Sequence, residues 1–119
     1  MIRDWKEYRG QIAAAVREIS ASNHDLVKAY AAFHHANSQS KHLVAKTREL
    51  IALAVAVTLR CDGCVNAHSE AAVRAGASKD EIVDALGVAI MVNAGATMVY
   101  SAHTIDAFNS YKPKTEVTP

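Results

Sequence analysis

Lys46–Leu86 reads KTRELIALAVAVTLRCDGCVNAHSEAAVRAGASKDEIVDAL. Apolar residues recur at helical spacing on both sides of a short polar break at Arg60–Gly63. Leu43–Leu59 predicts one helix, apolar almost all round from Leu50 onward. Such a helix must be covered on every side, and a neighbouring subunit is a natural cover in a domain this small. A second helix begins near Asp62 and stops at Gly76. Ser78-Lys79-Asp80-Glu81 is a capping-box pattern and opens a third, which runs to about Asn93. Gly95 is expected to part it from a last helix, Ala96–Tyr111. Toward the N-terminus, Asp4–Ser20 carries Ile12, Val16 and Ile19 on one side. Ser22 or Asn23 then caps a helix bearing Leu26, Val27, Tyr30, Phe33 and Ala36, and Asn37–His42 form a polar break. No stretch alternates as a strand does. The fold class is therefore all-α: a single helical domain of about six helices over residues 1–112, with 113–119 a flexible tail holding both prolines.

Half of the residues are hydrophobic, yet only 6% are aromatic, so small side chains and close helix contacts build the core. The formal net charge is +1 and the basic residues are dispersed, which argues against nucleic-acid or acidic-membrane partners. Met1–Glu18 has no uninterrupted apolar region of the kind a leader needs. The runs Leu50–Leu59 and Val88–Val92 are too short to span a bilayer. Ile82–Tyr100 is interrupted by Asp84 and Asn93 and reads as a buried helix. A cytoplasmic protein is expected. In a reducing compartment, two cysteines two residues apart point to redox chemistry or metal binding rather than a structural staple.

The chemistry lies in Arg60-Cys61-Asp62-Gly63-Cys64-Val65-Asn66-Ala67-His68. On a helix, positions 61, 64 and 68 fall within about 60° of one another, so one face presents two thiols and an imidazole. Cys64 and His68 stand one turn apart. The helix N-terminus favours negative charge, and a thiolate is the nucleophilic form of cysteine. His68 can take the thiol proton or donate to the thiolate. The second cysteine can resolve a sulfenic acid formed on the first. Glu49 stands twelve residues before Cys61. If the chain turns back near Arg60, Glu49 lies about 18 Å before the turn and His68 about 10 Å after it. That offset suits the two side chains plus one water better than direct contact.

Other roles compete for these residues. Cys61, Cys64 and His68 offer three zinc ligands, and His34, His35, His42 or His103 could add a fourth, although zinc modules usually bring two separated pairs. Two small buried thiols, or a histidine on an exposed helix face, are the plainest alternatives. Glu49, near Lys46 and Arg48, reads equally as a solvated charge. His34, His35, His42 and His103 have no local partner and read as structural; Met91 and Met98 read as core filler.

Taken together, Glu49, Cys61, Cys64 and His68 form Glu-x11-Cys-x2-Cys-x3-His. With its flanking text, this resembles the alkylhydroperoxidase AhpD-like group of the carboxymuconolactone decarboxylase family, over roughly Leu43–Ala94. The resemblance implies an all-α fold with the Cys-x2-Cys pair at a helix N-terminus, and a homotrimer or homohexamer. It implies a peroxiredoxin-like peroxidase, an antioxidant oxidoreductase that reduces alkyl hydroperoxides through a redox-active disulfide. Cys64 would be peroxidatic and Cys61 resolving, with Glu49 and His68 as the proton relay, although helix-end electrostatics alone would favour Cys61. A lipoyl protein or thioredoxin-like dithiol would be the reductant, and no cofactor or metal is implied. One position departs from the pattern: Gly63 stands where better-studied AhpD proteins have a histidine, which favours a rival reading as a disulfide reductase or redox adaptor acting on a small disulfide. A non-enzymatic zinc-binding or scaffold protein is the third possibility. Decarboxylases proper generally lack the cysteine pair, so decarboxylation is not expected.

Overall fold

A computed structural model describes residues 1–113. Helix α1 spans Trp5–Ser22, α2 His24–Ser38, α3 Ala45–Leu59, α4 Asp62–Arg74 and α5 Lys79–Tyr111, and no strand occurs among the described residues. Side chains cap the helix starts where short polar residues precede them. The Asp4 carboxylate accepts from the Glu7 amide at 3.0 Å. Of the two candidates before α2, Asn23 is the cap and accepts from the Leu26 amide at 3.2 Å. Ser78 and Glu81 form the reciprocal box, at 3.0 and 3.1 Å. Each bond satisfies a backbone donor with no partner inside its helix.

Both α3 and α4 end the same way. After α3, the Cys61 amide returns to the Ala56 carbonyl and the Arg60 amide to Val57. After α4, Ala77 returns to Ala72 and Gly76 to Val73. Both are Schellman closures, which place one residue in the left-handed region. Gly76 takes that place at φ 86 without a Cβ penalty. Arg60 takes it at φ 56, the sole non-glycine with positive φ among the described residues. The resulting turn is so short that α4 folds straight back along α3.

α3 is central and packs against α4 and the first half of α5, while α1 packs against α2 and α4. The buried apolar residues are Leu53, Ala56, Ala72 and Ala89, all in α3, α4 or that half of α5. Three of the four are alanines, which let helix axes approach closely.

Two expectations need correction. The helix opened by Ser78 does not stop near Gly95; α5 is one helix of 33 residues. A helical glycine costs only about 1 kcal/mol relative to alanine, which an unbroken hydrogen-bond ladder offsets. Five helices therefore replace six. Second, Ile82–Tyr100 is not buried within the chain: Met98 is 75% exposed, and Met91, Val92 and Val99 are exposed too, so neither Met91 nor Met98 fills the core. For Met98 and Val99 the cause is length. At 1.5 Å per residue α5 runs about 50 Å and its partner α3 about 22 Å, so the second half of α5 passes beyond its cover. By length and composition α5 could cross a bilayer, but Asp84, Asn93, His103 and Asp106 recur along it, a costly arrangement in lipid. The apolar surface of α3 is only partly covered within one chain, with Val55 and Leu59 exposed. The radius of gyration is 21.1 Å, against about 14 Å for a compact chain of this length. Of the expected tail, residues 114–119 lie outside the described set.

Candidate redox site

Cys61 occupies the N-cap of α4, and its sulfur accepts from the Cys64 amide at 3.2 Å. Cys64 lies one turn inside the helix. The two sulfurs form a disulfide, with Cα atoms 5.2 Å apart. A serine, threonine or aspartate would ordinarily cap such a helix; here a sulfur does, so the redox atoms sit at the positive end of the helix dipole.

His68 lies one turn beyond Cys64 and faces α3. Its Nδ1 meets Glu49 Oε2 at 2.7 Å. The expected water-bridged contact is thus a direct one: the reach of the two side chains across the tight Arg60 turn closes the axial offset. Against an ionised carboxylate Nδ1 is the donor, and in the neutral ring that makes Nε2 the acceptor. The pair is about three-quarters buried, with side-chain exposures of 27% for His68 and 23% for Glu49. The cations near Glu49 are engaged elsewhere: Lys46 pairs with Glu81 at 2.9 Å, and Arg48 donates to the Asn37 and Ser38 carbonyls. Glu49 is therefore held by His68 and is not a freely solvated charge.

Cys64 and His68 line one open cavity of about 350 Å³, whose wall on α3 includes Ile51, Val55 and Leu59. Cys61 is not among its lining residues, so the cavity opens onto Cys64 alone of the two cysteines. On the other side of α4, Gly63 faces α1 across a second space shared with Tyr8 and Ile12. A Cβ built on Gly63 meets no atom within 4 Å. Arg3 pairs with Asp62 at 3.2 Å and lies over the Tyr8 ring, while the Asn66 amide donates to the Trp5 carbonyl at 2.7 Å, so α1 is pinned beside the Cys-x2-Cys turn.

The remaining histidines stand apart from this arrangement. His34 packs edge-on against Tyr30, and His103 stacks on Tyr100 at 4.3 Å. Among the described residues no three His, Cys, Asp or Glu side chains converge to hold a metal ion. Neither Arg48 nor Asn66 drew a functional reading from the sequence. Arg48 could have been noticed from its position, since it shares a helix face with Ile51, Val55 and Leu59. Asn66 gave no signal, because its partner is a backbone carbonyl far away in the chain.

A model of the carboxymuconolactone decarboxylase family matches residues 24–107. The chain belongs to the carboxymuconolactone decarboxylase family. An uncharacterized protein of Haemophilus influenzae is 45% identical to this family member over 112 residues, covering 94% of this chain and 99% of that one. A crystal structure of a carboxymuconolactone decarboxylase family protein from Legionella pneumophila superposes with a TM-score of 0.69 at 27% identity, covering 92% of this chain and 97% of that one. An alkyl hydroperoxide reductase AhpD of Anaeromyxobacter dehalogenans is 42% identical over 48 residues, which are 40% of this chain and 26% of that protein. The family core here is AhpD-like, and the Cys61–Cys64 pair lies at a helix N-terminus within it.

Proposed function

We propose that this chain is a thiol-dependent hydroperoxide reductase, with Cys64 attacking and Cys61 resolving. The family holds decarboxylases as well as AhpD-type peroxidases, and the paired cysteines favour the redox chemistry. One observation carries the reading: Cys64 and His68 line the same cavity, and Glu49 orients His68 from behind at 2.7 Å. In the reduced protein His68 Nε2 takes the Cys64 proton. The thiolate attacks a peroxide oxygen, the O–O bond breaks, and the alkoxide leaves as an alcohol with the proton His68 returns. Cys64 is left as a sulfenic acid. Cys61 then attacks that sulfur, the S–O bond breaks, and water departs as the disulfide closes. A dithiol, lipoyl-bearing or thioredoxin-like, reopens the disulfide and is itself oxidised to one.

The same proposal includes assembly into a homo-oligomer. The chain exposes 9922 Å², whereas a compact chain of its mass would expose about 6,300 Å². The excess is several times the roughly 800 Å² each partner commits to a standard interface. Sedimentation velocity should give a trimer or hexamer; a monomer at micromolar concentration would refute this part.

A disulfide reductase without peroxidase activity is the second reading, favoured by the lack of a polar side chain at Gly63. The test is reductant-dependent loss of an organic hydroperoxide, run beside reduction of a small disulfide. Peroxide loss that depends on both cysteines supports the peroxidase. Disulfide turnover with no peroxide loss selects the alternative.

A further inference from the structure

The cavity that opens onto Cys64 has an uneven lining. Apolar side chains of α3 form its wall, no Asp or Glu lines it, and Arg48 is the one Arg or Lys among its lining residues. Arg48 has no carboxylate within salt-bridge distance among the described residues. Its Nη1 donates to two carbonyls at the end of α2, Asn37 at 3.3 Å and Ser38 at 3.2 Å. Those carbonyls orient the guanidinium but leave its net charge in place. Its Nε–H is buried and has no hydrogen-bond partner. A half-buried guanidinium whose charge no carboxylate offsets, at one end of an apolar cavity, is suited to a carboxylate. Arg48, Ile51, Val55 and Leu59 share one face of α3, so a carbon chain bound by its head at Arg48 lies along that face. About 350 Å³ is at the small end of ligand sites and admits a short chain rather than a long lipid.

We infer that Arg48 and the α3 wall form a subsite for a short-chain organic acid, so that the substrate class is a small hydroperoxide carrying a carboxylate. This rests on Cys64 being the reacting thiol. Arg48 is a specificity residue in this scheme; the bond changes remain those at Cys64.

The test measures protection of a thiol. In the full-length Cys61→Ser protein, Cys64 is alkylated with iodoacetamide in the presence of hexanoate or its neutral analogue hexanamide. Hexanoate should give half-protection at a concentration at least fivefold lower. Arg48→Gln should abolish that preference, and Arg48→Lys should keep part of it. Equal protection by the two compounds with Arg48 present overturns the subsite, a comparison that needs no substitution at Arg48. So does a preference that persists unchanged in Arg48→Gln. Peroxide turnover plays no part in the readout. A protein that prefers hexanoate but reduces no peroxide keeps the subsite and loses the peroxidase. A protein that reduces peroxide but treats the two compounds alike loses the subsite only.

Discussion

The centre and the arms of this molecule are built from similar residues to different ends. In the centre, α3, α4 and the first half of α5 bury Leu53 and three alanines, and they hold Glu49, Cys61, Cys64 and His68 in one small region. The arms are the α1–α2 hairpin and the second half of α5. They expose side chains at least as large: Phe33 is 79% exposed, and Phe108 and Tyr100 are little better covered. Composition alone does not separate the two regions. The centre holds the residues buried within one chain, whereas the arms hold the exposed aromatic side chains Tyr30, Phe33, Tyr100, Phe108 and Tyr111, an apolar surface of the kind that marks an interaction site. The chemistry belongs to the first and the proposed assembly to the second.

Substitutions should pull the two apart. The largest effect is expected from Cys64→Ser, which should lower peroxide turnover at least a thousandfold while leaving the sedimentation coefficient unchanged. A turnover assay and a sedimentation run on the same sample check both halves. Next is Leu53→Ala in the centre. Leu53 is 3% exposed, and truncating a buried leucine costs about 2–5 kcal/mol. Denaturant unfolding should report that loss, and a cost under about 1 kcal/mol would mean that the centre is not where stability resides.

Glu49→Gln keeps the size of the side chain but removes the charge that holds the His68 tautomer. Turnover should fall about 100-fold, the low end of general acid–base effects, and the pH profile should change shape. In the arm, Phe108→Glu should shift the assembly toward smaller species, with peroxide turnover falling only a few-fold. A light-scattering mass that does not change would detach Phe108 from any interface.

The smallest effect concerns the seams. Glu70 on α4 bonds to Arg9 of the α1 arm and, at 2.6 Å, to Arg74. The Arg9 hydrogen bond, followed by the Arg9 and Arg74 charges, holds its carboxyl below the ordinary value of 4.5. Glu81, tying α5 to α3 within the centre, is lowered in the same sense by Lys46 and by the Ser78 amide. A depressed folded-state value means that each carboxylate's contribution is complete above 4.5 and is lost as the pH falls below it. Both groups are exposed, so the effect on Tm is small. Glu70→Gln should flatten part of the acid-side decline in Tm, and Glu81→Gln another part.

Much of the centre was legible because its signals are local. Gly76, the Ser78–Glu81 box and the Cys-x2-Cys spacing each act within about one turn, and each appears where the sequence put it. The Glu49–His68 alignment was legible as a spacing, but its direct contact depended on how tightly the chain turns at Arg60. A left-handed arginine is not a conformation that a sequence advertises. The arms were less legible for a related reason. Gly95 is locally a helix breaker, and only the continuous ladder around it shows that the penalty is outweighed. The apolar positions of Ile82–Tyr100 announced that something covers them, without saying whether the cover comes from the same chain.

The sulfur cap on α4 has one more consequence. The Cys64 amide donates to Cys61 Sγ, so that single N–H is attached to the redox couple. In deuterated solvent its exchange rate becomes a readout of oxidation state. It is protected while the capping sulfur stays in place, and released to the rate of an open helix end if reduction lets Cys61 swing away. A backbone proton can thus follow the state of the disulfide without any substrate turnover.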